Sequence, residues 1–178
     1  MKKVLAFAGS NSSASINHKL VSFAATQMDG PQVKVVRLTD YPLPIFGEDL
    51  EKAGGYPATL KDLLAEIKQV DGLMISVNEH NGSISAFFKN TLDWLSRIEY
   101  KFLENKKILL MSASPGRRGA LSAFEYTQGI LPRYGGEVVS GLTFPSFSEN
   151  FSEVEQQISD KELKETMFNA LTLFSSSL

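Results

Sequence analysis

Along this chain of 178 residues, short apolar runs with strand chemistry take turns with segments of helical period. That alternation is the signature of parallel strands joined by crossover helices, and few architectures satisfy it. Val4–Ala8 reads as the first strand. Ile16, Leu20, Phe23, Ala24 and Met28 then share one helical face, and Asp29-Gly30-Pro31 supplies the residues that stop a helix. Val33–Leu38 reads as the second strand. From Tyr41-Pro42-Leu43-Pro44 to Gly54-Gly55-Tyr56-Pro57 the prolines and paired glycines predict a long irregular loop. Ala58, Leu60, Leu63, Leu64 and Ile67 form a second amphipathic helix, Gly72–Val77 a buried third strand, and Ile84 to Arg97 a third helix. Lys107–Ala113 is the fourth strand. Leu121, Phe124, Ile130 and Leu131 mark a fourth helix that ends before Pro132 or Gly135-Gly136. Val138–Val139 gives a short, weaker fifth strand, Pro145 to Asn150 a loop, and Leu163, Met167, Phe168, Leu171 and Phe174 the stripe of a closing helix. Five strands alternating with helices predict an α/β fold, a doubly wound three-layer sandwich, formed as a single domain over 1–178.

Composition narrows what such a sandwich can do. With no cysteine, disulfides, thiolate metal sites, iron–sulfur clusters and thiol nucleophiles are all excluded, so redox chemistry would need a borrowed cofactor. The net charge of -2 provides no basic field for a nucleic acid backbone. The apolar run after Met-Lys-Lys is too short for a secretory signal and no stretch approaches a membrane-spanning length, so a cytoplasmic protein without a membrane partner is expected.

Ligands of doubly wound sheets bind beyond the carboxyl ends of the strands, which directs attention to the residues after strands one, three and four. After strand one, Gly9-Ser10-Asn11-Ser12-Ser13-Ala14-Ser15-Ile16-Asn17 runs small hydroxyl and amide residues into a helix. Unpaired helix-terminal N–H groups and serine hydroxyls make an anion site, although one serine would suffice for a plain N-cap. Neither Gly-x-Gly-x-x-Gly nor a P-loop is present, and Asp40 reads as a solvated turn residue. After strand three, Asn78-Glu79-His80-Asn81-Gly82-Ser83 suits recognition of a planar ring better than proton transfer: adjacent Glu79 and His80 rarely converge on one atom, whereas Asn81 and Gly82 offer backbone groups and His80 a face. Phe87, Phe88, Leu92 and Leu95 read as core, and Trp94 as packing. After strand four, Ser114-Pro115-Gly116-Arg117-Arg118-Gly119 forms a fixed, open loop, with two arginines either solvated or facing a phosphate. The three loops converge on a phosphorylated ligand with a flat ring.

In this combination the sequence resembles the NADPH-dependent FMN reductase family of flavodoxin-like proteins, which includes quinone, azo-dye and chromate reductases. The resemblance runs from Val4 to the fifth strand. It is carried by Gly9-Ser10 with Ser15-x-Asn17, by Leu43-Pro44-Ile45-Phe46 through Asp49-Leu50-Glu51, by Glu79-His80-Asn81-Gly82-Ser83 with Lys89-Asn90-x-x-Asp93-Trp94, and by Ser114-Pro115-Gly116-x-x-Gly119. It implies a flavodoxin-like three-layer sandwich with a five-stranded parallel sheet of order 2-1-3-4-5. It implies, too, that Ser10, Ser15, Ile16 and Asn17 hold an FMN phosphate, with Gly9 and Ser12 as further candidate cofactor-binding residues of the same loop. Glu79, His80, Asn81 and Gly82 would border the isoalloxazine, with Ser114 and Gly116 on its other edge, and Asn78, Pro115 and Gly119 are further candidate cofactor-binding residues of these loops. Lys89, Asn90, Asp93 and Trp94 would organise the third helix and a subunit contact. Three departures stand out: Ser12 where the family places an arginine, Asn78-Glu79-His80-Asn81 for Pro-Glu-Tyr-Asn, and Ser85 for a proline, the last expected to matter little.

The implied activity is transfer of hydride from NADPH or NADH through FMN to a small acceptor such as a quinone, azo compound, metal oxyanion or free flavin, with no obligatory catalytic acid or base, no metal, and a homodimer or homotetramer as the assembly. After five strands and their helices no residues remain for a separate nicotinamide domain, so donor and acceptor would take turns over one flavin face. The competing reading is a flavodoxin-type electron carrier without nicotinamide activity, against which the weak net charge argues.

Overall fold

Residues 1–178 are described by a computed structural model. Five strands, β1 (Lys3–Ala8), β2 (Gln32–Val35), β3 (Gly72–Val77), β4 (Lys107–Ala113) and β5 (Glu137–Phe144), form one parallel sheet in the order β2-β1-β3-β4-β5. This is the order that the resemblance implies. Around it lie α1 (Ile16–Thr26), α2 (Glu48–Gly54), α3 (Ala58–Lys68), α4 (Ala86–Ile98), α5 (Leu121–Ile130), α6 (Phe147–Asn150) and α7 (Lys161–Ser177).

Both faces of the sheet are buried, so its inner strands read as unbroken apolar runs, and the pleat sorts their side chains by parity. Leu5, Phe7, Leu73, Ile75, Ile108 and Leu110 point to one core, closed by α3, α4 and α5. Val4, Ala6, Ala8, Met74, Leu109 and Met111 point to the other, closed by α1 and α7.

Five segments differ from expectation, the first being Ile84, which pairs in a short strand with Glu79 so that the third predicted helix, α4, starts at Ala86. The irregular stretch from Tyr41 contains α2, which has acidic residues in its first turn, where the helix dipole favours them, and ends at Gly55 with φ 67°. No residue of α2 is buried, so it has no apolar stripe to betray it. Strand β2 stops at Val35, and Leu38–Asp40 turns into a 3-10 segment, leaving Asp40 exposed as expected. Strand β5 has eight residues because its backbone continues to pair with β4 through Ser140, Gly141 and Thr143, whose polarity hides the strand. Finally, Pro145 to Asn150 holds α6, followed by a two-strand hairpin, Phe151–Ser152 with Gln157–Ile158.

Asp71 closes the amino-terminal edge of the sheet. Its carboxylate accepts the Lys3 backbone N–H at 2.8 Å and the Lys2 ammonium at 3.2 Å, and these bonds hold its pKa below the ordinary aspartate value. A depressed carboxyl pKa contributes stability that is present above the unfolded value and lost as pH falls through the folded one. Urea midpoints of wild type and Asp71→Asn should therefore differ at neutral pH and converge in acid. Because the side chain is 39% exposed, the gap will be modest.

Candidate active site

The first loop begins where the Gly9 N–H donates to the Ser76 carbonyl at 2.9 Å, extending the β1–β3 ladder one residue beyond the strand. A Cβ on Gly9 would stand 2.7 Å from Phe88 Cγ, so only glycine lets the chain pass this close to α4. Ser10 Oγ accepts the Ser12 N–H and Ser12 Oγ accepts the Ala14 N–H, both at 3.3 Å, leaving each hydroxyl proton free to donate elsewhere. Ser15 is the N-cap of α1, its Oγ accepting the His18 N–H at 3.1 Å. One serine thus performs the capping, and the remaining hydroxyls and the unpaired N–H groups of Ile16 and Asn17 stay available to an anion at the positive end of the helix.

The Asn17 side chain is committed elsewhere. It is 2% exposed; Oδ1 accepts from Ser76 Oγ at 2.8 Å and from the Ala113 N–H at 2.9 Å, while Nδ2 donates to the Ala113 carbonyl at 3.0 Å. What Asn17 offers the loop is its backbone N–H. Its carboxamide stitches α1 to the ends of β3 and β4.

The second loop is a small antiparallel hairpin, Glu79–His80 with Ser83–Ile84. Asn81 and Gly82 form its turn at φ 52° and 76°, the pair of positive angles that selects Asn-Gly in two-residue hairpins. Glu79 Oε2 accepts the Ala123 N–H at 3.2 Å. That carboxylate stands in for the missing cap of α5, whose N-cap, Ala120, has a left-handed backbone and no side chain to offer. His80 is exposed, with Nε2 3.2 Å from Asn78 Nδ2.

The third loop is pinned from below. The Ser112 hydroxyl donates to the Gly119 carbonyl at 2.6 Å, and the Ser114 hydroxyl to the Gly116 carbonyl at 3.1 Å. Gly119 has φ 58°, and a Cβ there would meet Pro145 N at 2.9 Å, so its glycine serves close packing against the end of β5. Arg117 and Arg118 are exposed and neither is paired with a carboxylate.

At the carboxyl edge of the sheet these loops enclose one open cleft. Ser10, Ser12, Ser15, Ile16 and Asn17 line it from the first loop, Asn78, Glu79 and His80 from the second, and Ser114 and Pro115 from the third. Ala14 and Ala113 also line it, and sequence reasoning missed both because alanine carries no chemical signal. Gly9, Asn81, Gly82, Gly116 and Gly119 do not line the cleft wall; Asn81 faces a neighbouring recess with Lys89 and Tyr126. The donor set fits a phosphorylated ligand: neutral N–H and O–H donors at one end, polar side chains along the wall, and a buried acceptor, Asn78 Oδ1, that no protein group satisfies. No group of three or more His, Cys, Asp or Glu side chains is placed to hold a metal ion, and no helix is long and apolar enough to cross a membrane.

The proline-rich segment packs on α4. Asn90 Nδ2 and Trp94 Nε1 both donate to the Pro44 carbonyl, at 2.9 and 2.8 Å, and Asn90 Oδ1 accepts the Phe46 N–H at 2.8 Å. Lys89 and Asp93 pair with each other along the helix at 2.5 Å.

Residues 2–149 match the model of a family described as NADPH-dependent FMN reductase. The chain belongs to that family. A quinone reductase of Escherichia coli is 30% identical over 117 residues, 60% of this chain and 62% of the relative, so the match spans less than two thirds of that relative's length. An NAD(P)H-dependent FMN reductase of Pseudomonas aeruginosa is 30% identical over 122 residues, 68% of this chain and 64% of its own. Among solved structures, the flavoenzyme NAD(P)H:(acceptor) oxidoreductase FerB of Paracoccus denitrificans superposes with TM-score 0.76 at 21% identity over 99% of both chains, and thus shares the fold.

Within this FMN reductase family fold, Ser85 does more than the sequence suggested. Its Oγ accepts the Phe88 N–H at 3.1 Å, capping α4, and donates to the Gly9 carbonyl at 2.7 Å, tying the helix to the first loop. The expectation that this position matters little is corrected: a proline would supply neither bond. Ser85→Ala should cost about 1 to 2 kcal/mol of unfolding free energy in urea titrations, the range for a lost N-cap with a buried carbonyl left unpaired.

Proposed function

We propose that the cleft binds FMN and that the protein is an NAD(P)H-dependent oxidoreductase delivering electrons to a small acceptor: a quinone, azo compound, metal oxyanion or free flavin. The observation that carries this is the convergence, in an FMN reductase family chain, of free α1 N–H groups and serine hydroxyls with the Asn78–His80 and Ser114–Pro115 walls on a single cleft. Bound FMN would supply the two-electron chemistry, accepting hydride from a reduced nicotinamide and releasing the electrons to a second substrate.

The protein's own part is binding and orientation. Ser10, Ser12 and Ser15, with the Ile16 and Asn17 N–H groups, hold the phosphate, using the helix terminus in place of an arginine. His80, Ser114 and Pro115 position the ring, Asn78 lines the wall between them and the phosphate end, and Gly9, Gly116 and Gly119 shape the loops from behind. Asn81 and Gly82 set the hairpin that carries His80. Glu79 spends its carboxylate on α5 and is left out of proton transfer. Residues 1–178 act as one FMN-binding unit in a cytoplasmic homodimer or homotetramer.

Titrating the purified protein with FMN, then following NADPH and NADH oxidation with and without a benzoquinone, tests the reading. Expected are saturable flavin binding and nicotinamide oxidation that depends on FMN and quinone together. Flavin binding without nicotinamide oxidation would point to an electron carrier; failure to bind flavin overturns both.

A further inference from the structure

Of the buried side-chain nitrogen and oxygen atoms in this protein, only Asn78 Oδ1 has no hydrogen-bond partner. A buried polar atom left unpaired is costly, and where one persists something outside the polypeptide is the usual partner. Its location says what kind of partner. Asn78 follows the last residue of β3 and lies in the cleft wall. Strand β3 neighbours β1, with Ala8 in register with Ser76, so Asn78 stands beside the start of the anion loop at Gly9 and Ser10.

The other end of the carboxamide is held by His80, whose Nε2 lies 3.2 Å from Nδ2. With Nε2 unprotonated, Nδ2 donates to it and the oxygen occupies the orphan position. With a proton on Nε2, the amide turns over and its NH2 takes that position. Either way His80 fixes one end and the other is left to the ligand. A hydroxyl donates and accepts, and so meets both orientations; an imide N–H or a ring carbonyl meets only one.

We propose that the Asn78 carboxamide binds a hydroxyl of the polyol chain that joins phosphate to ring in FMN, with His80 as the positioning residue that orients it. This rests on the FMN reading above. The polyol is the part of FMN next to the phosphate, and a side chain next to the phosphate loop reaches it before the ring.

The test is flavin-fluorescence quenching by the apo-protein, with FMN and with analogues that each lack one side-chain hydroxyl. Wild type should bind one analogue about tenfold more weakly than FMN, as expected for one hydrogen bond at a buried site. Asn78→Ala should bind FMN about tenfold more weakly than wild type and show no further loss with that analogue. His80→Ala should shrink the discrimination, and His80→Gln, which can still bond the amide, should restore most of it. Because the orphan atom satisfies nothing in the apo-protein, apo Asn78→Ala should melt within about 2 °C of wild type or above it. Three results overturn the proposal: every analogue binding wild type as FMN does, discrimination surviving in Asn78→Ala, or a marked fall in its apo melting temperature, which would make the side chain structural. If wild type takes up no FMN, the proposed function falls as well; FMN bound without discrimination overturns this inference alone.

Discussion

Replacing Asn17 by alanine is expected to lower the unfolding free energy by about 3 to 5 kcal/mol, measured by urea titration, a large share of what a domain of this size has. The substitution strips three partners at once: the Ala113 N–H, the Ala113 carbonyl and the Ser76 hydroxyl, all in a region where the neighbouring side chains are fully buried. Each unsatisfied group costs about 1 to 3 kcal/mol, and relaxation of the loop keeps the total below the sum. Asn17→Asp should be no better, because a buried carboxylate in that position faces the Ala113 carbonyl, to which it cannot donate. Flavin affinity should fall too, since α1 and the Ala113–Ser114 wall would no longer be held in register. The size of the stability loss separates two roles. A side chain serving only as a phosphate ligand would cost affinity and leave the apo-protein's urea midpoint unmoved.

Asn17 also shows where sequence reading runs out. The motif Ser15-x-Asn17 was legible as the end of a loop that runs into a helix, and Ser15 does cap α1 there. Yet the partners of the Asn17 carboxamide are 59 and 96 residues away, and nothing in any of these segments announces the pairing. Glu79 is similar: its bond to the Ala123 N–H, 44 residues on, follows from an uncapped α5 that only the folded backbone reveals. Local periodicity was a good guide where burial enforces it. Strands β1, β3 and β4 are buried over nearly their whole length and read as strands at once, and the stripes of α1, α3 and α7 are equally plain. It failed where burial is absent, as in α2, or where an edge strand alternates small and polar residues, as in β5. The hairpin around Asn81-Gly82 carried a local signal that could have been found, since that dipeptide favours a two-residue turn. The glycines were legible as special but not for the right reason: Gly9 and Gly119 make room for Phe88 and for the backbone at Pro145, and neither forms the cleft surface.

Trp94→Ala should be the other severe change, with an expected loss of about 3 to 5 kcal/mol, the range for truncating a large core aromatic. Trp94 is 0% exposed, its indole N–H donates to the Pro44 carbonyl at 2.8 Å, and the Phe46 ring meets it edge-on with centroids 5.2 Å apart. Truncation therefore opens a cavity under α4 and at the same time unfastens the segment that leads into α2. As Trp94 is the protein's only tryptophan, unfolding of the variant must be followed by circular dichroism. Trp94→Phe separates the two contributions. It keeps most of the apolar volume and removes the N–H, but Asn90 Nδ2 still donates to the same carbonyl at 2.9 Å, so the cost should be only about 1 kcal/mol. A Phe variant as damaged as the Ala variant would mean that the indole hydrogen bond, and not the packing, holds the segment down. The cleft should barely register the Phe change, because what ties α4 to the first loop is the Ser85 hydroxyl on Gly9, a bond that lies at the opposite end of the helix.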